Sequence, residues 1–136
     1  MITEDYVSFE TAKLLREKGF EYNPDESYWL IDSNNKMYWI SSIGAYDYVD
    51  VPTESFQRPK NGYRLITQAR AMKWLREKGW FICIIPFAFY CGEKATQFGY
   101  NIWAGDNLEI DEFNTPKFRT YEETCEDAIK YCLKNI

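Results

Sequence analysis

Apolar residues recur at helical spacing in three stretches of the chain, and strand-like runs lie between them. In the first stretch Phe9, Ala12, Leu14 and Leu15 follow Ser8, a residue suited to capping a helix, and Gly19 closes the pattern. The second runs from the cap candidate Thr67 through Ala71, Met72, Trp74 and Leu75 to Gly79. The third opens on Thr120-Tyr121-Glu122-Glu123, the Thr-x-x-Glu form of a capping box. It continues as the stripe Tyr121, Cys125, Ala128, Ile129, Cys132 and Leu133 to about Asn135. Acidic residues at the start of this helix, and Lys130 and Lys134 near its end, complement the helix dipole.

Between the helices the period changes. Tyr28 to Asp32 and Met37 to Ser41 flank Ser33-Asn34-Asn35-Lys36, a hairpin signal because asparagine tolerates the positive φ that tight turns need. Tyr46 to Val51 alternates like a strand, and Pro52 to Gly62 is polar and proline-containing, which predicts a mobile connector over 52–62. The block from Trp80 to Cys91 is apolar for twelve residues, too short for a membrane span of about 20, and reads as a buried strand. Pro86 inside it cannot donate to a ladder, so the strand is expected to lie at an edge or to bulge there. Gln97 to Ala104 returns, and Leu108 and Ile110 alternate with polar neighbours as a third strand.

The expected fold is therefore a single α+β domain over residues 1–136, an antiparallel sheet with helices packed on one face, in helix-hairpin-helix-strands-helix order. Short connections exclude parallel neighbours, which need crossovers of a dozen or more residues. The pentapeptide Leu-Arg-Glu-Lys-Gly closes both of the first two helices, at Leu15–Gly19 and Leu75–Gly79, an offset of 60 residues. An aromatic, Phe20 or Trp80, follows each copy. Two histories account for the repeat: doubling of a helix-hairpin unit, or independent recurrence of good helix formers ending in a glycine. Both predict positive φ at Gly19 and Gly79.

Composition narrows the chemistry. The chain has no histidine, so Ser-His-Asp and Cys-His nucleophiles and histidine-based metal sites are excluded. Cys83, Cys91, Cys125 and Cys132 include no C-x-x-C pair; Cys125 and Cys132 would stand about 10 Å apart along one helix, too far for a disulfide. Cys91 beside Gly92 has no base to activate it. Asp106, Glu109, Asp111 and Glu112 lack the spacing of a calcium loop and read as a solvated strand edge. No enzyme chemistry, cofactor or metal is expected.

Net charge is -5, with 16 basic and 21 acidic residues, and no cluster of Lys and Arg. Nucleic-acid binding is not expected. From Thr67 onward the helix, three strands and helix follow the order of a double-stranded-RNA-binding domain. The lysine-rich entry to its last helix is here Glu122, Glu123 and Glu126, so the likeness is topological only. The opening Met-Ile-Thr-Glu-Asp lacks the features of a signal peptide, and with no span expected the chain is read as cytoplasmic in a host cell, with no membrane partner.

Three stretches together carry a resemblance: 2–15, Ile-Thr-Glu-Asp-Tyr-Val-Ser-Phe-Glu-Thr-Ala-Lys-Leu-Leu; 71–77, Ala-Met-Lys-Trp-Leu-Arg-Glu; and 120–133, Thr-Tyr-Glu-Glu-Thr-Cys-Glu-Asp-Ala-Ile-Lys-Tyr-Cys-Leu. They resemble a family of small phage- and prophage-borne proteins, and more loosely the layout is similar to the phage ABA-sandwich domain. The resemblance covers about a quarter of the chain, in and around its helices. It implies a fold and a genetic context, and brings no catalytic residues with it.

Aromatics number 5 Trp, 11 Tyr and 9 Phe, more than a core of this size requires, so some rings should face solvent. Tyr28, Trp29, Tyr38 and Trp39 come from adjacent strands of the first hairpin, and Tyr46 and Tyr48 are candidates to join them. Such rings offer a large contact area for few frozen torsions. The favoured reading is a non-enzymatic binding module that engages a protein partner through this surface. The alternative is a protein that sequesters a small nucleotide signal between the same rings, with Arg64 or Arg70 for its phosphate. Oligomeric state is not legible from the sequence.

Overall fold

In a computed structural model of the protein, residues 5–22, 26, 28–40, 62–89 and 95–136 are described. The stretch 46–51, with Tyr46 and Tyr48, residues 52–61 of the 52–62 connector, and Cys91 lie outside the described residues. The elements are α1 (Phe9–Glu17), β1 (Tyr28–Ile31), β2 (Met37–Ile40), β3 (Tyr63–Arg64), α2 (Gln68–Glu77), β4 (Trp80–Phe89), β5 (Ala95–Ala104), β6 (Asn107–Ile110) and α3 (Tyr121–Asn135). A short 3-10 turn at Glu112–Asn114 precedes α3. The class is α+β and every strand pairing is antiparallel. The strands divide between two three-stranded sheets, β2-β1-β3 and β4-β5-β6. The chain forms two compact units, one over Tyr6–Ile66 and the other over Thr67–Ile136 with the described start of the chain at Asp5.

Local chemistry sets the helix ends. The hydroxyls of Ser8, Thr67 and Thr120 accept from the backbone N–H of Thr11, Arg70 and Glu123 at 3.3, 3.2 and 3.1 Å, satisfying one otherwise orphaned amide in each first turn. Gly19 and Gly79 take φ of 86° and 89°, as the repeat predicts. After α1 the chain closes with two bonds, Gly19 N–H to the Arg16 carbonyl at 3.1 Å and Phe20 N–H to the Leu15 carbonyl at 2.9 Å, the pair that defines a Schellman motif.

No heavy atom lies within 4 Å of where a Cβ on Gly79 would stand, so its replacement is opposed by the backbone alone. Gly79→Ala is expected to cost about 1 kcal/mol in urea denaturation; an unchanged midpoint would contradict the assignment.

In the Tyr6–Ile66 unit, the hairpin turns on Asn35 at φ 62°. The Asp32 carboxylate accepts from the N–H groups of Asn34 and Lys36, both at 2.9 Å, and holds the turn. Its sheet gains a third strand that the sequence pattern does not show, because β3 is two residues long, too short to display a period. Leu30 and Ile31 of β1 are buried, together with Ala12 and Leu15 of α1. Phe9 of α1 meets Tyr63 of β3 edge to face at 5.3 Å.

In the second unit α2 and α3 pack on one face of the β4-β5-β6 sheet. Ala71 and Leu75 from α2, Cys125, Ala128, Ile129, Cys132 and Leu133 from α3, and Tyr100 and Ile102 from β5 are all buried. Tyr100 donates its hydroxyl to the Asp127 carboxylate at 2.6 Å, tying the sheet to α3. The two copies of the pentapeptide thus end helices alike but open onto differently ordered sheets, the first-made strand being central in one and at the edge in the other. That favours recurrent helix-end physics over a doubled unit.

Candidate functional site

The first hairpin brings its rings together as the register demands. Trp29 pairs across the strands with Trp39, and their ring centroids are 5.1 Å apart at a tilt of 56°. All four hairpin candidates, Tyr28, Trp29, Tyr38 and Trp39, are half-buried. Tyr38 donates to Asp32 at 3.2 Å. The Arg64 guanidinium lies 4.2 Å from the Tyr28 ring and 4.9 Å from the Tyr22 ring, and pairs with Glu26 at 3.3 Å. Arg64 is therefore already satisfied by two π faces and a carboxylate, which leaves it poorly placed to recognise a phosphate. Arg70 belongs to α2, in the other unit.

Phe113 of the 3-10 turn, Tyr121 of α3 and Tyr6 before α1 are the most exposed of the described aromatics, but the exposed rings that share one sheet face lie on the other sheet. In β4-β5-β6 the register pairs Phe81 with Trp103, and Trp103 with Leu108. Antiparallel partners share a face, so these three side chains form a row across all three strands on the side away from the helices. They are 44%, 38% and 44% exposed. Cys83, two residues along β4 from Phe81, is exposed on the same face.

One end of this face is closed. Phe87 meets Phe113 edge to face at 6.3 Å, and the Lys117 ammonium stands 4.7 Å from the Phe87 ring. Lys117 donates to the carbonyl oxygens of Glu112 and, at 2.9 Å, Thr115. The Phe87 ring and the Lys117 stem lie over Gly99, where a Cβ would stand 3.0 and 3.2 Å from them. The other end, around Phe81, Trp103 and Leu108, is open.

The run from Trp80 is expected to be buried, and its outward face is not: Phe81 and Cys83 are exposed there, and Pro86, on the opposite face by alternation, is exposed as well. An antiparallel sheet with helices on one side normally alternates apolar with polar. A run that stays apolar on both sides of such a sheet therefore leaves apolar surface in water. That was the available signal, and it was missed because a continuous apolar run also fits a strand covered on both faces. Pro86 lies on the edge strand, as its missing N–H predicts.

The rim of the open end is acidic. Asp106 in the β5–β6 turn and Glu109 on β6 are exposed, and among the described residues neither makes an ion pair. The two further carboxylates of this stretch are engaged: Asp111 accepts from the Phe113 N–H at 2.9 Å and Glu112 accepts from the Asn101 amide at 3.2 Å. No three His, Cys, Asp or Glu side chains among the described residues gather as a metal would require.

Between the first turns of α2 and α3 lies a cavity of about 230 Å³, lined by Thr67, Gln68, Met72, Tyr121, Glu122 and Cys125 with Asp5. It is smaller than the roughly 300–1,000 Å³ of a typical small-molecule site. Its thiol is also inert: burial pushes Cys125 up to about 11, against which a hydrogen bond with Tyr121 works only in part. Burial likewise holds Cys132 at about 12. No helix among the described residues is long and apolar enough to cross a membrane. Set beside protein-family models, curated proteins and solved structures, the chain matches none of them.

Proposed function

We propose that this protein is a non-enzymatic binding module of phage or mobile-element origin that acts in the cytosol and engages a protein partner through the outer face of the β4-β5-β6 sheet. The observation that carries the reading is the row Phe81, Trp103 and Leu108, in register across three strands and 38–44% exposed. Binding energy at protein interfaces concentrates in a few large, mostly aromatic side chains that become desolvated at the centre of the patch. The row supplies two such rings on a rigid support, so little conformational freedom is lost when they are covered.

The hairpin rings serve this role less well. Trp29 and Trp39 cover each other, and Tyr28 is covered by Arg64. The absence of histidine and the protonated thiols of Cys125 and Cys132 support a role without catalysis. The unbridged Cys83, Cys125 and Cys132 suit a reducing compartment. The phage context rests on the resemblance of the three helical stretches.

The test compares partner recovery by wild type, by Phe81→Thr/Trp103→Thr and by Trp29→Ala/Trp39→Ala. Threonine keeps strand propensity while removing the rings. Loss of about tenfold or more in affinity is expected for the first variant only; loss confined to the hairpin variant would place the surface on the other unit.

A further inference from the structure

We propose that the occupant of this face is a basic amphipathic helix of a partner protein. Its apolar side chains would lie on Phe81, Trp103 and Leu108, and its lysines or arginines would reach Asp106 and Glu109. The inference rests on the reading of the face as a protein-binding surface and adds the chemistry of what it binds.

Spacing selects a helix. Neighbouring strands stand about 4.8 Å apart, so the row spans roughly 10 Å, close to the approximately 10.5 Å between positions i and i+7 of an α-helix. Anchors at i, i+3 or i+4, and i+7 then meet the three side chains in turn. Strand addition at the β4 edge is the obvious competing mode, and Pro86 opposes it. Pro86 pairs with Phe98. Phe98 exchanges both of its backbone hydrogen bonds with Phe118, at 2.7 and 2.9 Å, so its N–H and C=O point away from β4. In such a pair the Pro86 nitrogen points to the outer edge, where an added strand would need an N–H.

Charge selects a basic partner. β4 contributes ten residues without a charge, and on the β6 side Asp106 and Glu109 stand exposed. Of the described cations close to the sheet, Lys117 stands at the closed end, held by two carbonyl oxygens and the Phe87 ring, and Lys78, before β4, lies over the Trp74 ring of α2 at 5.4 Å. The described charges on the β6 side of the open end are therefore acidic. A second copy of a chain with net charge -5 would bring acidic rim to acidic rim in a symmetric pair, whereas a basic helix gains from the same groups.

The test uses the full chain and three synthetic peptides of about 18 residues: a Leu/Lys amphipathic helix, its Leu/Glu counterpart, and a Lys-rich peptide without leucine. Binding is read by calorimetry between about 50 and about 300 mM salt. The Leu/Lys peptide is expected to bind about tenfold or more tightly than either other peptide, and more weakly as salt rises. Asp106→Asn/Glu109→Gln should weaken it several-fold, whereas Glu122→Gln/Glu123→Gln on α3 should not. Equal binding of Leu/Glu, no binding of Leu/Lys, or equal effects of the two charge variants would overturn the basic-helix proposal.

Phe81→Thr/Trp103→Thr separates the two levels of the argument. Retained Leu/Lys binding in that variant refutes the face itself; lost binding there with no effect of the Asp106/Glu109 change refutes only the basic partner. A concentration-dependent dimer in sedimentation velocity, abolished by the same variant, would give the face to a second copy instead.

Discussion

Ile129→Ala is expected to lower the unfolding free energy by about 3 kcal/mol, within the roughly 2–5 kcal/mol typical of large-to-small changes at sealed core positions. Ile129 is completely buried, with Ala128 before it and Cys125, Cys132 and Leu133 completing the same covered stripe of α3. The side chain sits where α3 packs on β4 and β5, so neither a helix end nor a loop is free to collapse into the space left behind. Part of the cost is lost burial and part is the cavity. Ile136, at the end of the chain and 43% exposed, provides the control: its replacement by alanine should change stability by less than about 0.5 kcal/mol. Urea midpoints at unchanged slope would measure both. Equal effects at the two positions would mean that α3 does not pack as described.

Raising the pH above about 9 is expected to destabilise the fold through the thiols of α3. Burial pushes Cys125 from 9.0 up to about 11 and Cys132 from 9.0 up to about 12. Burial and the hydrogen bond to Asp127 also hold Tyr100 above its ordinary value. Below pH 9 these thiols are protonated in both folded and unfolded chains, and their contribution is constant. Above it the unfolded chain releases protons that the folded chain keeps, so stability falls until the folded values are reached. Each thiol contributes up to about 1.4 kcal/mol per pH unit inside its window. A drop of at least about 2 kcal/mol between pH 9 and 11 is therefore expected. Cys125→Ala and Cys132→Ala should each make the alkaline fall shallower, whatever they cost at neutral pH. A fall of the same steepness in both variants would show that other groups cause it.

What the sequence made legible was local. Ser8, Thr67, Thr120, Gly19, Gly79 and Asn35 act on their own turns, through caps and positive φ, and the structure places each of them in that role. The α3 stripe was legible for the same reason, since a helical period depends only on the helix that carries it. The division of strands between two sheets was not, because register and partner choice depend on residues far apart in the chain. Nor was β3, whose two residues carry no period.

The site divides in the same way. That Tyr28, Trp29, Tyr38 and Trp39 would lie on adjacent strands followed from the hairpin turn, whereas the pairing of Trp29 with Trp39 was set by a register, Ile31 opposite Met37, that the turn residues do not show. That Arg64 would cover Tyr28 depended on a contact across 36 residues of sequence, between β1 and β3. The exposure of Phe81, Trp103 and Leu108 depended on which side of a sheet the helices occupy. A uniformly apolar run such as Trp80–Phe89 hides that choice, because both of its faces have the same composition.

The most direct test of the outer face as the partner surface is photo-crosslinking from three positions. A photoreactive side chain is placed in turn at Trp103 on that face, at Trp39 in the first hairpin and at the exposed Lys73 on α2, with the purified partner present. The account predicts a strong adduct from position 103, with positions 39 and 73 at background. An adduct from position 39 or 73 with none from 103 would contradict it.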